Sequence, residues 1–178
     1  MKQTKRSQSL TADLCVNAIL IALVLVATLF INIRLPISIN GGLIHLGNVP
    51  LVMAAIVFGK KKGAVAGACG MGLFDVLGGW MLWAPFTFVI RGVMGFVIGW
   101  IAEKKQGKSV WLNLLAILAG GVCMMVGYYF TEVILYQNWV APFTSVPGNA
   151  IQTASALVLG LPLATLIKKQ NILPYMQS

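Results

Sequence analysis

The sequence predicts an all-α integral membrane protein, a bundle of six transmembrane helices with both termini cytoplasmic. Three observations carry this. The chain of 178 residues is 58% hydrophobic and only 10% charged, where a soluble domain has about a quarter charged residues, and its mean hydropathy is +0.87. Its apolar residues fall in six stretches, most of them near the ~20 residues that a spanning helix needs. Finally, all of the 13 Lys and Arg except Arg34 and Arg91 fall in four clusters that flank those stretches. These clusters are Lys2, Lys5 and Arg6; Lys60, Lys61 and Lys62; Lys104, Lys105 and Lys108; and Lys168 and Lys169. Cytoplasmic loops of membrane proteins collect Lys and Arg, so clusters at alternate loops fix a topology.

The first helix is expected at about residues 14–33. A basic stretch precedes it, as in a signal peptide, but it is longer than a typical apolar signal core and no small-residue cleavage site follows, so it reads as a retained helix. The second falls at about 46–59, short unless residues 41–45 contribute. The third is expected at about 63–79, the fourth at 85–102, the fifth at 110–136 and the sixth at 148–167. The basic clusters put the loops after the second and fourth helices inside. Residues 32–46, 78–84 and 137–147 are then outer loops, and Trp80, Trp83 and Trp139 fall there, as aromatic residues do at a membrane–water interface. No linker, repeat or low-complexity segment divides the chain, so residues 1–178 read as a single domain.

Function classes narrow quickly. The formal charge of +9 could suggest nucleic acid, but clusters beside apolar runs are better explained by membrane orientation and anionic lipid. Cys15, Cys69 and Cys123 all lie inside apolar runs; an odd number without paired spacing gives no disulfide framework and no metal motif. No His-Glu-x-x-His and no Gly-x-Ser-x-Gly occurs. Residues 102–109 read AEKKQGKS, close to the end of a phosphate-binding loop, but Ala102 stands where the first glycine is required and no strand precedes it. The chain is therefore read as a non-enzyme without cofactors, and any uptake it drives takes its energy from a partner or an ion gradient.

Small residues recur at helix-packing spacing, which lets helix backbones approach closely in lipid. Examples are Ala18-x-x-x-Ala22, Gly63-x-x-x-Gly67 followed by Gly70 and Gly72, Gly95-x-x-x-Gly99, and Ala156-x-x-x-Gly160-x-x-x-Ala164. Most serve the bundle itself; Ala18 and Ala22, on a helix otherwise lined with Ile, Leu and Val, suit docking on another membrane protein.

Only four acids occur: Asp13, Asp75, Glu103 and Glu132. Asp13 and Glu103 lie near inner helix ends. Asp75, Glu132 and Arg91 lie within apolar runs, where ionisable groups are costly and usually face a bundle interior or a wet cavity. All three fall in the outer third of their helices, Arg91 roughly 9 Å from the outer start of the fourth at 1.5 Å per residue. Asn149 and Gln152 on the sixth helix, and His45 and Asn48 at the start of the second, lie at the same level. Trp80, Trp83 and Tyr128 could stack on a flat ring there. The inner two-thirds carry almost no polar groups, which is the pattern of a pocket open to the outside rather than a pore. Two readings of the charged trio stay open. It forms an ion-pair network that fixes helix packing, or Arg91 presents its planar fork to a ligand, with an acid orienting it from behind.

The stretch Gly41-Gly-Leu-Ile-His45-Leu-Gly-Asn48-Val-Pro50 resembles the first outer loop and second helix of the substrate-binding S components of energy-coupling factor (ECF) transporters. So do Gly63-Ala-Val-Ala-Gly67 followed by Gly72-Leu-Phe-Asp75, and Trp83-Ala-Pro-Phe-Thr-Phe-Val-Ile-Arg91-Gly92. Ala18-x-x-x-Ala22 is similar to that family's docking motif. The resemblance covers nearly the whole chain and is strongest to the hydroxymethylpyrimidine or pyridoxine branch, with relatives serving pantothenate, riboflavin or folate. It implies a subunit in a prokaryotic cell membrane that captures a vitamin outside. It would then dock through Ala18 and Ala22 on a membrane coupling subunit that carries two ATPase subunits. The rival reading is a stand-alone secondary transporter with Asp75 and Glu132 as proton-coupled groups, against which no inverted repeat or broken-helix pair is visible. An intramembrane enzyme or a pure assembly factor has few groups available for chemistry.

Overall fold

Every long apolar stretch forms a helix in the computed structural model, which describes residues 10–34 and 43–170. Helix α1 spans Leu10–Phe30, α2 Asn48–Phe58, α3 Lys60–Leu77, α4 Ala84–Glu103 and α5 Val110–Tyr136. The sixth stretch is a continuous rod made of a 3-10 turn (Ala141–Ser145), α6 (Val146–Ser155), a π turn (Ala156–Gly160) and α7 (Leu161–Gln170). That rod is longer at both ends than the sequence predicted. The basic cluster at residues 2–6, and residues 35–42 of the expected outer loop 32–46, lie outside the described residues.

Two features depart from the sequence expectation. The segment read as a plain outer loop contributes two short antiparallel strands, β1 (Asn32–Arg34) and β2 (Leu43–His45), with Ile33 opposite Ile44. Three-residue strands are too short for alternation to register. The expectation of six spanning helices is also modified, because among the described residues four helices are long and apolar enough to cross a membrane by length and composition: α1, α4, α5 and the α6–α7 rod. At 11 residues, α2 is only about 17 Å long, short of the ~30 Å hydrocarbon core. Although α3 has 18 residues, three lysines and four glycines lower its hydropathy.

The order of burial explains the layout. Helix α2 is apolar on all sides and its Leu51, Val52, Ala54, Ala55, Ile56 and Val57 are buried, so it sits in the middle of the bundle. By contrast, α1 buries only Leu20, Val24 and Thr28, one stripe at four-residue spacing, and turns the rest of its Leu, Ile and Val outward, as a lipid-facing helix does. Gly59, at φ 94°, is a conformation open to glycine, and it lets the chain leave α2 and double back at once into α3.

Small residues then set the helix spacing. A Cβ on Gly63 would lie 2.6 Å from Ala55 Cα and 3.0 Å from the Gly95 carbonyl oxygen, so α3 is held tightly between α2 and α4. One on Gly70 would meet Val24 of α1 at 2.7 Å, and one on Gly127 would meet Ile90 at 2.8 Å. The glycine spacing read as helix packing therefore works within this bundle.

The lysine clusters converge at one end. Lys62 pairs with Asp13 at 2.5 Å and Lys60 with Glu103 at 2.8 Å, while the Lys168 side chain lies against Gly107. The start of α1 and the end of α7 share this basic end. The strands, the α3–α4 turn with Trp80 and Trp83, and the 3-10 turn lie at the other.

Candidate functional site

The end of the bundle opposite the lysines holds a cleft of about 650 Å³, open solvent at its mouth included. Its walls come from β2, α3, the α3–α4 turn, α4, α5 and the 3-10 turn leading into α6. Of the residues singled out in the sequence, His45, Asp75, Trp80, Trp83, Arg91, Tyr128, Glu132, Asn149 and Gln152 all line it. Asn48 does not reach the cleft. It is fully buried at the start of α2, directly behind Arg91.

Arg91 organises the floor. It is 2% exposed, and its five N–H groups are all accounted for. Nε donates to the Tyr128 hydroxyl at 3.1 Å, Nη1 to Asn48 Oδ1 at 2.6 Å and Nη2 to Gln152 Oε1 at 3.0 Å. Nη1 also abuts the Met124 sulfur, and Nη2 stands 3.5 Å from His45 Nε2. Its Cζ lies 5.1 Å from the centre of the Tyr128 ring, which adds a cation–π contact.

One side chain on α4 thus ties together α2, β2, α5 and α6. Gln152 extends the tie by donating from Nε2 to the Leu43 carbonyl at 2.6 Å, which anchors β2 over the cleft. Tyr128 passes its own proton to Thr87 Oγ1 at 3.0 Å.

This differs from the charged network that the sequence allowed. Arg91's hydrogen-bond partners are neutral groups, and Asp75 makes no ion pair with it. Asp75 is 8% exposed, its Oδ2 has no hydrogen-bond partner, and Thr87 stands beside its carboxyl. Glu132 accepts from Ser145 Oγ at 2.8 Å. The acids that were expected at inner helix ends, Asp13 and Glu103, do pair with lysines at the basic end.

His45 lies in β2, outside the helices, and is buried. Burial first, and the Arg91 charge second, hold its imidazole well below the ordinary value of 6.5. Its Nδ1 receives the Gly47 N–H at 3.3 Å, so a protonated ring would lose that bond and face the guanidinium as a second cation.

Five wall residues carried no individual signal in the sequence: Leu43, Met71, Phe74, Thr87 and Ser145. Two could have been found by helical spacing, since Thr87 and Met71 lie one turn before Arg91 and Asp75 and so share their faces. Phe74 packs by its ring against His45, with centroids 6.1 Å apart. Ser145 is placed by the 3-10 turn. Trp83 meets Tyr136 at 6.1 Å beside the mouth, whereas Trp139 is exposed away from the cleft. Ala18 and Ala22 lie exposed on the outer face of α1.

A polar cleft at one end of an apolar helical bundle, with no enzyme motif, is the geometry of a membrane solute receptor. The family described as ECF-type riboflavin transporter, S component, matches residues 9–169. The chain belongs to that family. It is a transporter component and not an enzyme. A relative from Pyrococcus woesei, described as an uncharacterized protein in gap 3'region, is 32% identical over 140 residues, 78% of this chain and 90% of the relative. The thiamine precursor transporter HmpT of Lactococcus lactis subsp. cremoris is 29% identical over 133 residues, 75% of this chain and 74% of that protein. The S-component resemblance read from the motifs at residues 41–50, 63–75 and 83–92 is therefore the family's.

Proposed function

We propose that this S component is the high-affinity capture subunit of an ECF-type importer for a thiamine precursor of the hydroxymethylpyrimidine type. The observation that carries the reading is the cleft at the end opposite the lysines. It combines aromatic walls for a flat ring, namely Trp80, Trp83, Tyr128 and Phe74, with acceptors and donors set at its floor. A pyrimidine bearing amino, hydroxymethyl and methyl groups uses each of these: ring faces against aromatic side chains, polar substituents against Asp75, Asn149 and Gln152, and a methyl against Met71 and Leu43. HmpT's name supports this substrate more directly than the family's description, which names riboflavin. A pyridoxine-type ring is the neighbouring alternative.

On this reading the bundle lies in a prokaryotic plasma membrane with the cleft outward and the basic end, with both termini, in the cytoplasm. The exposed Ala18 and Ala22 face of α1 docks on a membrane coupling subunit that carries two ATPase subunits, whose ATP turnover supplies the energy. His45, Asp75, Trp80, Trp83, Arg91, Tyr128, Glu132, Asn149 and Gln152 line the ligand site, and Asn48 supports it from behind.

The test is equilibrium binding by the detergent-purified protein, shown to be folded and free of carried-over ligand. The panel is hydroxymethylpyrimidine, pyridoxine, pyridoxal, pantothenate, riboflavin and folate. Tight, saturable binding of hydroxymethylpyrimidine supports the reading; tight binding of another vitamin instead replaces the substrate and keeps the capture role. Uptake by the protein alone in liposomes under an ion gradient would replace the capture role with secondary transport.

A further inference from the structure

One buried group of the cleft keeps an acceptor unmet, which bears on the ligands it can select. Arg91 would be the natural seat for an anionic vitamin, but its five N–H groups already face Tyr128, Asn48, Gln152, Met124 and His45. Turning the fork toward a ligand would strand the acceptors of Asn48 and Gln152, both almost fully buried. Asp75 is the opposite case. Its carboxylate is more than nine-tenths buried, it lines the cleft, and Oδ2 receives no hydrogen bond. A buried acceptor left unmet is rare in folded proteins and calls for a partner. The Trp80 backbone N–H donates to the Asp75 main-chain carbonyl at 2.7 Å, which joins the last turn of α3 to the Trp80–Trp83 turn. Asp75, Trp80 and Trp83 line the same cleft, so a planar ring held against its aromatic walls can offer a substituent to the carboxylate.

We propose that Asp75 is the specificity-determining acceptor of the cleft: its Oδ2 receives an N–H from an amino group on a planar heteroaromatic ligand. The cleft thereby selects amino-bearing rings over their oxo counterparts and over anionic vitamins. This rests on the reading of the cleft as the ligand site. An amino group supplies the missing donor. A ring oxygen in the same place sets two acceptors against each other, and a site built to bond one group rejects the analogue that lacks it far more strongly than it resolves a difference in size.

The experiment compares two probes, 4-amino-5-hydroxymethyl-2-methylpyrimidine and its 4-oxo counterpart. Binding is followed by calorimetry on the purified protein and on Asp75→Asn, whose side chain keeps its shape and gains a donor. The wild type is expected to bind the amino ring at least ~100-fold more tightly than the oxo ring. Asp75→Asn is expected to lose ~10-fold or more for the amino ring while holding or gaining affinity for the oxo ring, because its amide N–H can meet the oxo group. That crossed change is a readout that a general loosening of the fold would not give.

Trp139→Phe, exposed away from the cleft, serves as the control and is expected to keep the preference for the amino ring. If the wild type binds both rings alike, or Asp75→Asn weakens both by the same factor, the acceptor role is overturned and the capture reading stands. If neither ring binds while another panel vitamin does, the proposal and the pyrimidine reading fall together, and the capture role survives.

Discussion

Arg91→Lys keeps the charge on α4 and removes the fork, so it isolates what the guanidinium geometry contributes. In the native protein Nε, Nη1 and Nη2 reach three oxygens on three different helices, those of Tyr128, Asn48 and Gln152. An ammonium is one nitrogen at one point and cannot hold three acceptors spread around a plane. Losing one or two hydrogen bonds to a charged group costs about 1.5–3 kcal/mol each, or roughly 1.5–6 kcal/mol in all. The acceptor left behind is buried, so water does not make good the loss.

The consequence extends past stability, because Gln152 also holds the Leu43 carbonyl at 2.6 Å. When the Arg91 contact loosens, β2 loses its anchor over the cleft. Thermal unfolding of the detergent-solubilised variant should therefore begin several degrees lower, and affinity for the panel ligand should fall ~10-fold or more. Arg91→Ala should weaken binding as well, through loss of the same floor. A lysine variant with unchanged unfolding temperature and unchanged affinity would refute the account of Arg91 as the tie between four elements.

Three further outcomes follow from other parts of the molecule. His45 is held neutral in the folded state, so below about pH 6.5 the unfolded chain takes up a proton that the folded chain does not. Stability should be level above that pH and fall progressively as pH drops below it; His45→Gln should flatten an unfolding-temperature series across this range, and an unchanged slope would remove His45 as its source. Gly63→Ala places a methyl 2.6 Å from Ala55, and overpacking of about 1–3 kcal/mol should outweigh the ~1 kcal/mol gain in helix propensity; a variant as heat-resistant as the parent would show that α2 and α3 can separate at little cost. Ala18→Trp, on the exposed face of α1, should leave ligand affinity unchanged and abolish co-purification with the coupling subunit, and a complex that still assembles would move the docking surface elsewhere.

The positions of α1 to α5 were legible because the signal for each is local: an apolar run bounded by polar residues or glycine. Expected and observed bounds of α5 coincide at Val110–Tyr136. The lysine clusters also implied that alternate loops share one end, and Lys60, Lys62, Glu103 and Asp13 meet there. The level of the site was legible too, because the depth of a polar residue along a helix follows from counting.

What could not be read was decided between elements rather than within them. The β1–β2 pairing joins residues on either side of a long loop and leaves no periodic trace. The π turn at Ala156–Gly160 is the exception, because Gly160 ends it and Pro162, which has no N–H for the helix ladder, follows at once, a local signal that was not read as a break. The roles of the charged residues, like the strand pairing, were decided between elements. The sequence by itself determined a membrane bundle, its basic end, its family and the residues available at the opposite end, since composition and spacing belong to the chain alone. Only the tertiary structure decided that Arg91 is committed to Asn48, Gln152 and Tyr128 while Asp75 keeps an oxygen unmet. A hydrogen bond needs its partners within about 3 Å of each other, and those partners come from helices far apart in the chain.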